Sequence, residues 1–195
     1  MTLVSSPTWG ASGIAYNGTN QYGTIPDFLG SSTLTVFNRL SHGTAPPASI
    51  IRLYGQGDSP LNTGSIVVSY AGNAAGTPYR IYRTANGQGV LNNSAEIYDT
   101  TNEAQTTASQ TLVNQWVNGG GRSMWQNKTL LGLTLQAGTP QTSKLNTTAP
   151  FIYSAIFDNG ALLQPSNQTG TCLAAIEGTI TTTQRETITD LINAL

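Results

Sequence analysis

"GIAYNGTNQYGTIP", residues 13–26, sets Ile14 and Tyr16 before an Asn17-Gly18 pair and Tyr22 and Ile25 after it. Apolar residues at period two, interrupted by Asn-Gly, are the pattern of short strands joined at a tight turn, because such a turn needs positive φ. Asn17-Gly18-Thr19 is also a glycosylation sequon, one of five with Asn92, Asn127, Asn146 and Asn167. In a chain this rich in Asn and Thr, sequons arise by chance.

The same alternation recurs at 32–40, 48–55, 65–71, 79–84, 111–117, 123–131, 151–158 and 171–178. Clusters of Gly, Asn, Pro and Ser separate the runs, as in "TANGQG", "VNGGG" and "FDNGA". Stretches 99–110 and 137–149 read as longer loops, with Pro140 and Pro150 restricting their backbone. About ten strands in a chain of this length imply an all-β fold of two packed antiparallel sheets.

The 195 residues suit one domain spanning 1–195. Charged residues make up only 9% and the formal net charge is −1, so the surface is polar but weakly charged. Without clustered cations nucleic acid is excluded as a partner. "MTLVSSPTWG" lacks a basic segment followed by an apolar one, and no run approaches the apolar length of a membrane span, so no leader and no membrane partner are expected. Cys172 is the single cysteine, which rules out an intrachain disulfide and reads as a small buried thiol.

One segment departs from the β pattern. In "ITTTQRETITDLINAL", Thr183 and Glu186 predict a capping box, and Ile188, Leu191, Ile192 and Leu195 follow at helical spacing. The expectation is a short C-terminal helix packed by that stripe on the sandwich.

Taken together, these segments resemble the laminin-G-like, or concanavalin A-like lectin and glucanase, superfamily. Its opening strand has the form x-L-x-F-[DN]-G-x-x-[DN]-Y-[VL]-x-[IV]-P, and Tyr16, Asn17, Gly18, Asn20, Tyr22, Ile25 and Pro26 fall on the recurring positions. "STLTVFNRLS" is similar to the family's second strand, "SMWQNKTLLG" to its "LYVNGVLV" hairpin, and "CLAAIEGTITTTQRETITDL" to the closing strand and helix of bacterial and phage members. The resemblance implies a jelly-roll sandwich and glycan binding. Many members bind calcium, but no cofactor is expected here, because Asp27, Asp58, Asp99, Asp158 and Asp190 are scattered and calcium wants several convergent oxygens; a calcium site is the less favoured alternative.

Catalysis finds little support. Glucanases of the superfamily carry E-x-D-x-E on one strand face, whereas "AEIYDTTNE" spaces Glu96, Asp99 and Glu103 by three and four, which divides Glu96 from Asp99 on a strand and suits a solvated loop or edge. His42 in "LSHGTAPP" is the only histidine and reads as a surface-loop residue; no G-x-S-x-G elbow accompanies it. A lyase using Arg80, Tyr82 and His42 matches only fragments of the family's sets.

Sugar recognition without catalysis needs aromatic faces and planar polar groups on one sheet face. Burying Ile51 and Leu53 leaves Arg52 and Tyr54 outward; burying Ile81 sends Arg80 and Tyr82 outward; burying Met124 leaves Trp125 out. Arg52, Tyr54, Arg80, Tyr82 and Trp125 are therefore the candidate carbohydrate-binding residues, provided their strands are neighbours. Trp116 reads as core, and Trp9 as a pin for the N-terminal segment. The expected role is a non-enzymatic glycan-binding protein of a phage particle surface, with a host surface glycan, other virion proteins and further copies of itself as partners. The rival readings are a structural decoration or coat subunit, and a glycoside hydrolase or polysaccharide lyase.

Overall fold

The computed structural model describes residues 1–25, 33–42, 50–56, 66–71, 79–83, 96–101, 108–117, 121–138, 151–158, 161–163 and 166–195. In chain order the strands are β1 (Thr2–Val4), β2 (Thr8–Gly10), β3 (Gly13–Ala15), β4 (Tyr22–Ile25), β5 (Thr33–His42), β6 (Ile50–Gln56), β7 (Ile66–Ala71), β8 (Tyr79–Arg83) and β9 (Glu96–Thr100). Then come β10 (Gln110–Val117), β11 (Gly121–Gln126), β12 (Thr129–Leu131), β13 (Leu133–Ala137), β14 (Phe151–Tyr153), β15 (Ile156–Asp158), β16 (Ala161–Leu163), β17 (Gln168–Glu177) and the helix α1 (Thr182–Asn193).

Two antiparallel sheets carry the fold. One runs β1-β4-β14-β6-β7-β8-β9-β13, the other β12-β11-β10-β5-β17-β3-β2, and β15 and β16 form a separate hairpin. Every recurring run of the sequence falls on one or two of these strands. β9 occupies ground expected as loop or edge, since "EIYDT" is short and sets polar residues at both parities, Glu96 and Thr100 at one and Asp99 at the other; β13, "LTLQA", lies between the expected 123–131 run and the 137–149 loop. Of the loops expected at 99–110 and 137–149, the ends fall on β9, β10 and β13, and residues 102–107 and 139–149 lie outside the described residues.

The core forms where the inner faces meet. Leu34, Val36, Leu40, Leu112, Trp116 and Met124 from the seven-stranded sheet pack against Leu53, Tyr54, Val68, Tyr79, Phe151 and Tyr153 from the eight-stranded one. Burial of each large side chain stabilises the fold by roughly 1.5–3 kcal/mol before chain entropy is counted. The core is not wholly apolar. Tyr153 Oη donates to Asn38 Oδ1 at 2.8 Å, while Asn114 donates to the Tyr54 hydroxyl and Gln110 to the Tyr79 hydroxyl. Amides on one sheet thus give the phenols of the other a partner, which offsets part of the cost of burying them; Asn38 Nδ2 and Asn114 Oδ1 stay without a partner among the described residues.

β5 is buried almost along its whole length because both faces of the seven-stranded sheet are covered. On the outer face Phe37, Val113 and Trp125 meet Ile192 of α1, with Ile188, Ala174 and Ile176 packed beside them. The helix starts two residues before the expected box. Thr181 is its N-cap: the Gln184 N–H donates to Thr181 Oγ1 at 3.2 Å and the Thr181 N–H to Gln184 Oε1 at 2.9 Å. Gln serves at N3 as well as Glu, so Thr181 takes the cap and Glu186 instead meets Arg185 at 3.2 Å. The buried stripe becomes Arg185, Thr189 and Ile192, and Leu191 and Leu195 face solvent.

Asn17-Gly18 is a corner rather than a hairpin, because β3 and β4 belong to different sheets. Asn17 Oδ1 accepts from the N–H groups of Thr19 at 2.9 Å and Asn20 at 3.2 Å, closing an Asx turn. Gly18 has φ +70 and a Cβ there would stand 3.1 Å from Asn167, so glycine meets both demands.

Candidate carbohydrate-binding face

β6, β7, β8 and β9 are consecutive neighbours in the eight-stranded sheet. Position 81 pairs with the core residue Val68 on one side and on the other with Tyr98, which packs against the core, and these two partners fix that row as inward. Side chains alternate along a strand, so the adjacent rows occupy the outer face. One of them aligns Arg52, Ser69, Arg80, Asp99 and Thr134; the next aligns Val67, Tyr82 and Ile97. The backbone therefore brings positions 52, 80 and 82 to one patch of the outer face. The side chains of Arg52, Arg80 and Tyr82 lie outside the described residues.

Tyr54 does not share that face. The register shifts between Arg52 and Tyr54, so that Arg52 pairs with Ser69 and Tyr54 with the core residue Val68. This β-bulge inserts Leu53 as an extra residue and turns Tyr54 inward, and both are fully buried. Tyr54 stacks on Phe151 with ring centroids 5.5 Å apart, and burial drives its hydroxyl pKa well above 10.

Trp125 is also removed from the patch. It points away from the sandwich core, as alternation requires, but β11 lies in the seven-stranded sheet and α1 covers that face. The Arg185 guanidinium sits 4.2 Å above the indole, leaving Trp125 only 8% exposed.

His42 ends β5 in the interior at 4% exposure, correcting its assignment to a surface loop. Burial lowers its pKa to about 4, so the imidazole is neutral at pH 7. Asp99 is buried on the Arg80 row, and Asp190 pairs with Lys128 at 2.6 Å on the helix. Glu103, Asp27 and Asp58 lie outside the described residues, as do the side chains of Glu96 and Asp158. Among the described residues no three His, Cys, Asp or Glu side chains converge as metal ligands would.

Trp116 is core at 1% exposure, but Trp9, expected to pin the N-terminal segment, is 71% exposed on the edge strand β2. Cys172 is only half-buried, beside α1, and burial raises its pKa. Sequence reasoning passed over Arg39. It follows Phe37 on the outer side of β5, a placement that the alternation of Leu34, Val36 and Leu40 inward already implies.

Compared by sequence, the chain matches no known protein family and no curated protein. Compared by structure, it resembles a heptameric SAP-like pentraxin from Limulus polyphemus, with TM-score 0.61 at 13% identity over 86% of this chain and 74% of that one. It also resembles the CBM40 of a Ruminococcus gnavus IT-sialidase solved with α2,3-sialyllactose, with TM-score 0.60 at 10% identity over 82% and 83%. A third likeness is domain 4 of AbnA, a GH43 arabinanase from Geobacillus stearothermophilus solved with arabinotriose, with TM-score 0.60 at 14% identity over 97% and 82%. The chain has a concanavalin A-like sandwich fold. At these identities the likeness establishes the fold alone.

Proposed function

We propose that this protein is a non-catalytic carbohydrate-binding domain whose ligand lies on the outer face of the eight-stranded sheet, at Arg52, Arg80 and Tyr82. The observation that carries this reading is the cross-strand register: Arg52 and Arg80 stand in one row across Ser69, with Tyr82 two residues further along β8 on the same face. Two cations and a phenol in one patch supply planar donors for sugar hydroxyls and a surface for C–H contact. Similar folds that bind sialyllactose and arabinotriose support the same ligand class.

The absence of E-x-D-x-E, with Glu96 and Asp99 at odd spacing and His42 inside the core, favours binding over hydrolysis or lysis. Low charge and the likeness of the closing segment to phage members lead us to place the protein on a phage particle as an adhesin for host surface glycan. A structural virion role is the second reading. It draws on Trp9, 71% exposed on an edge strand, and Leu191, 66% exposed on α1, which suit contacts with other virion proteins.

Glycan-array retention tests the proposal. Specific retention that falls at least tenfold in Arg80→Ala and Tyr82→Ala is expected. No retention on any glycan would favour the structural role, and release of shortened product would restore the enzyme reading.

A further inference from the structure

On the opposite sheet, beside the C-terminal end of α1, lies a groove of about 490 Å³. Arg39 and Ser41 of β5 line it, together with Ser12 from the β2–β3 turn, Ser109, Thr171 and Leu195. That volume is within the roughly 300–1,000 Å³ range of small-molecule sites.

A β-bulge and the end of α1 shape it. The pairing of β17 with β5 shifts between Gly170 and Cys172, leaving Thr171 as the extra residue of a β-bulge. Its hydroxyl donates to the Ser12 carbonyl at 3.1 Å, so the bulge and the β2–β3 turn form one wall. Asn193, the last residue of α1, stands at the other side. Its Oδ1 accepts from Arg39 Nη1 at 2.6 Å and from Thr111 Oγ1 at 2.7 Å.

The guanidinium is therefore held by one arm. Among the described residues no carboxylate side chain reaches it within ion-pair distance, and the bond to Asn193 is the one hydrogen bond it makes there. A half-buried, oriented guanidinium without an anion is a binding element awaiting one, since charge-assisted bidentate pairs are the strong hydrogen bonds of such sites. A single cation suits a single negative charge; a polyphosphate or nucleic acid would call for several. The surrounding Ser and Thr hydroxyls suit a polyhydroxylated body.

We propose that this groove is a second ligand site, which takes the carboxylate of an acidic sugar residue on Arg39 and its hydroxyls on Ser12, Ser41, Ser109 and Thr171. The saccharide class rests on the carbohydrate-binding reading above; the preference for an anion rests on Arg39 alone. The two sites occupy opposite sheets, so one domain bridges two glycan segments, or two chains of one glycan.

Methyl glycosides of glucuronic, galacturonic and sialic acid, each paired with its carboxylate methyl ester, test this by titration with NMR detection. At least one acid is expected to bind about tenfold or more tightly than its ester, the scale of a charge-assisted hydrogen bond. Arg39→Gln should abolish that difference, and Ser41→Phe, which fills the groove but keeps the cation, should abolish binding of the acid. Should Arg39→Gln fail to fold, Ser41→Phe still decides. Equal binding of acid and ester in all three pairs, unchanged binding in Ser41→Phe, or sulfate competing as well as the best acid would each overturn the proposal. Retention of neutral glycans on the array bears only on the first site, so the two readings fail separately.

Discussion

Tyr153 Oη donates to Asn38 Oδ1 at 2.8 Å, tying β14 of the eight-stranded sheet to β5 of the seven-stranded one through the middle of the core. Both residues are buried, and the Tyr153 ring meets Tyr16 edge-on with centroids 5.6 Å apart. Tyr153→Phe keeps the ring and leaves a buried carbonyl unsatisfied. We expect a loss of about 1–3 kcal/mol in urea unfolding, and partial recovery when Asn38→Leu is added, because removing both partners costs less than removing one. A single variant within about 0.3 kcal/mol of the parent would refute the bridge.

Gly170 is what lets that phenol reach its partner. A Cβ at position 170 would stand 2.7 Å from the Tyr153 ring, closer than real contacts allow. Gly170→Ala should cost about 1–3 kcal/mol by overpacking. The double variant Gly170→Ala, Tyr153→Phe should cost measurably less than the two separately, since the displaced hydroxyl is already gone. Strict additivity in the unfolding free energies would show that Gly170 acts elsewhere.

The buried titratable groups limit stability at both ends of the pH scale. His42 has its pKa lowered to about 4 by burial, against 6.5 when unfolded. Between those values the unfolded chain binds the proton and the folded one does not. Stability is therefore full above about pH 6.5 and is lost as pH falls toward 4, by about 3 kcal/mol in total. At the other end burial raises the hydroxyl pKa of Tyr54 and Tyr153, so the unfolded chain ionises first and stability falls as pH rises above 10. Thermal melts across the range check both limbs. His42→Gln should flatten the acid limb alone, and an unchanged acid limb would show that His42 does not titrate there.

Alternation in the sequence was enough to read the two-sheet fold, because a face that is buried must repeat at period two. It misled at the bulge in β6, where Leu53 is extra and Tyr54 turns into the core. No local pattern marks that bulge; it is settled by pairing with β7. For Trp125 the direction was legible and the exposure was not, since the helix that covers it begins more than 50 residues later. Asn17-Gly18 marked a reversal correctly, but whether a reversal stays within a sheet or crosses between sheets depends on partners far along the chain, here β17 for β3 and β14 for β4. Nothing in the local sequence marks Arg39, because its groove is built from small hydroxyl residues that a bulge and distant strands bring together.

Trp125 and Arg185 give a last test, one that separates stability from recognition. The guanidinium lies 4.2 Å above the indole, and Phe37, Val113 and Ile192 complete the cluster that holds α1 on the sheet. Trp125→Ala removes a large buried side chain, for which a loss of about 3–5 kcal/mol is expected. Arg185→Ala removes the cation held over the ring, worth about 1–2 kcal/mol. Both variants should unfold at lower urea, yet retain glycan on the array in proportion to the folded fraction, because the proposed first site lies on the other sheet. Selective loss of retention by Trp125→Ala at unchanged stability would return the tryptophan to the binding surface and displace the Arg80 and Tyr82 patch from that role.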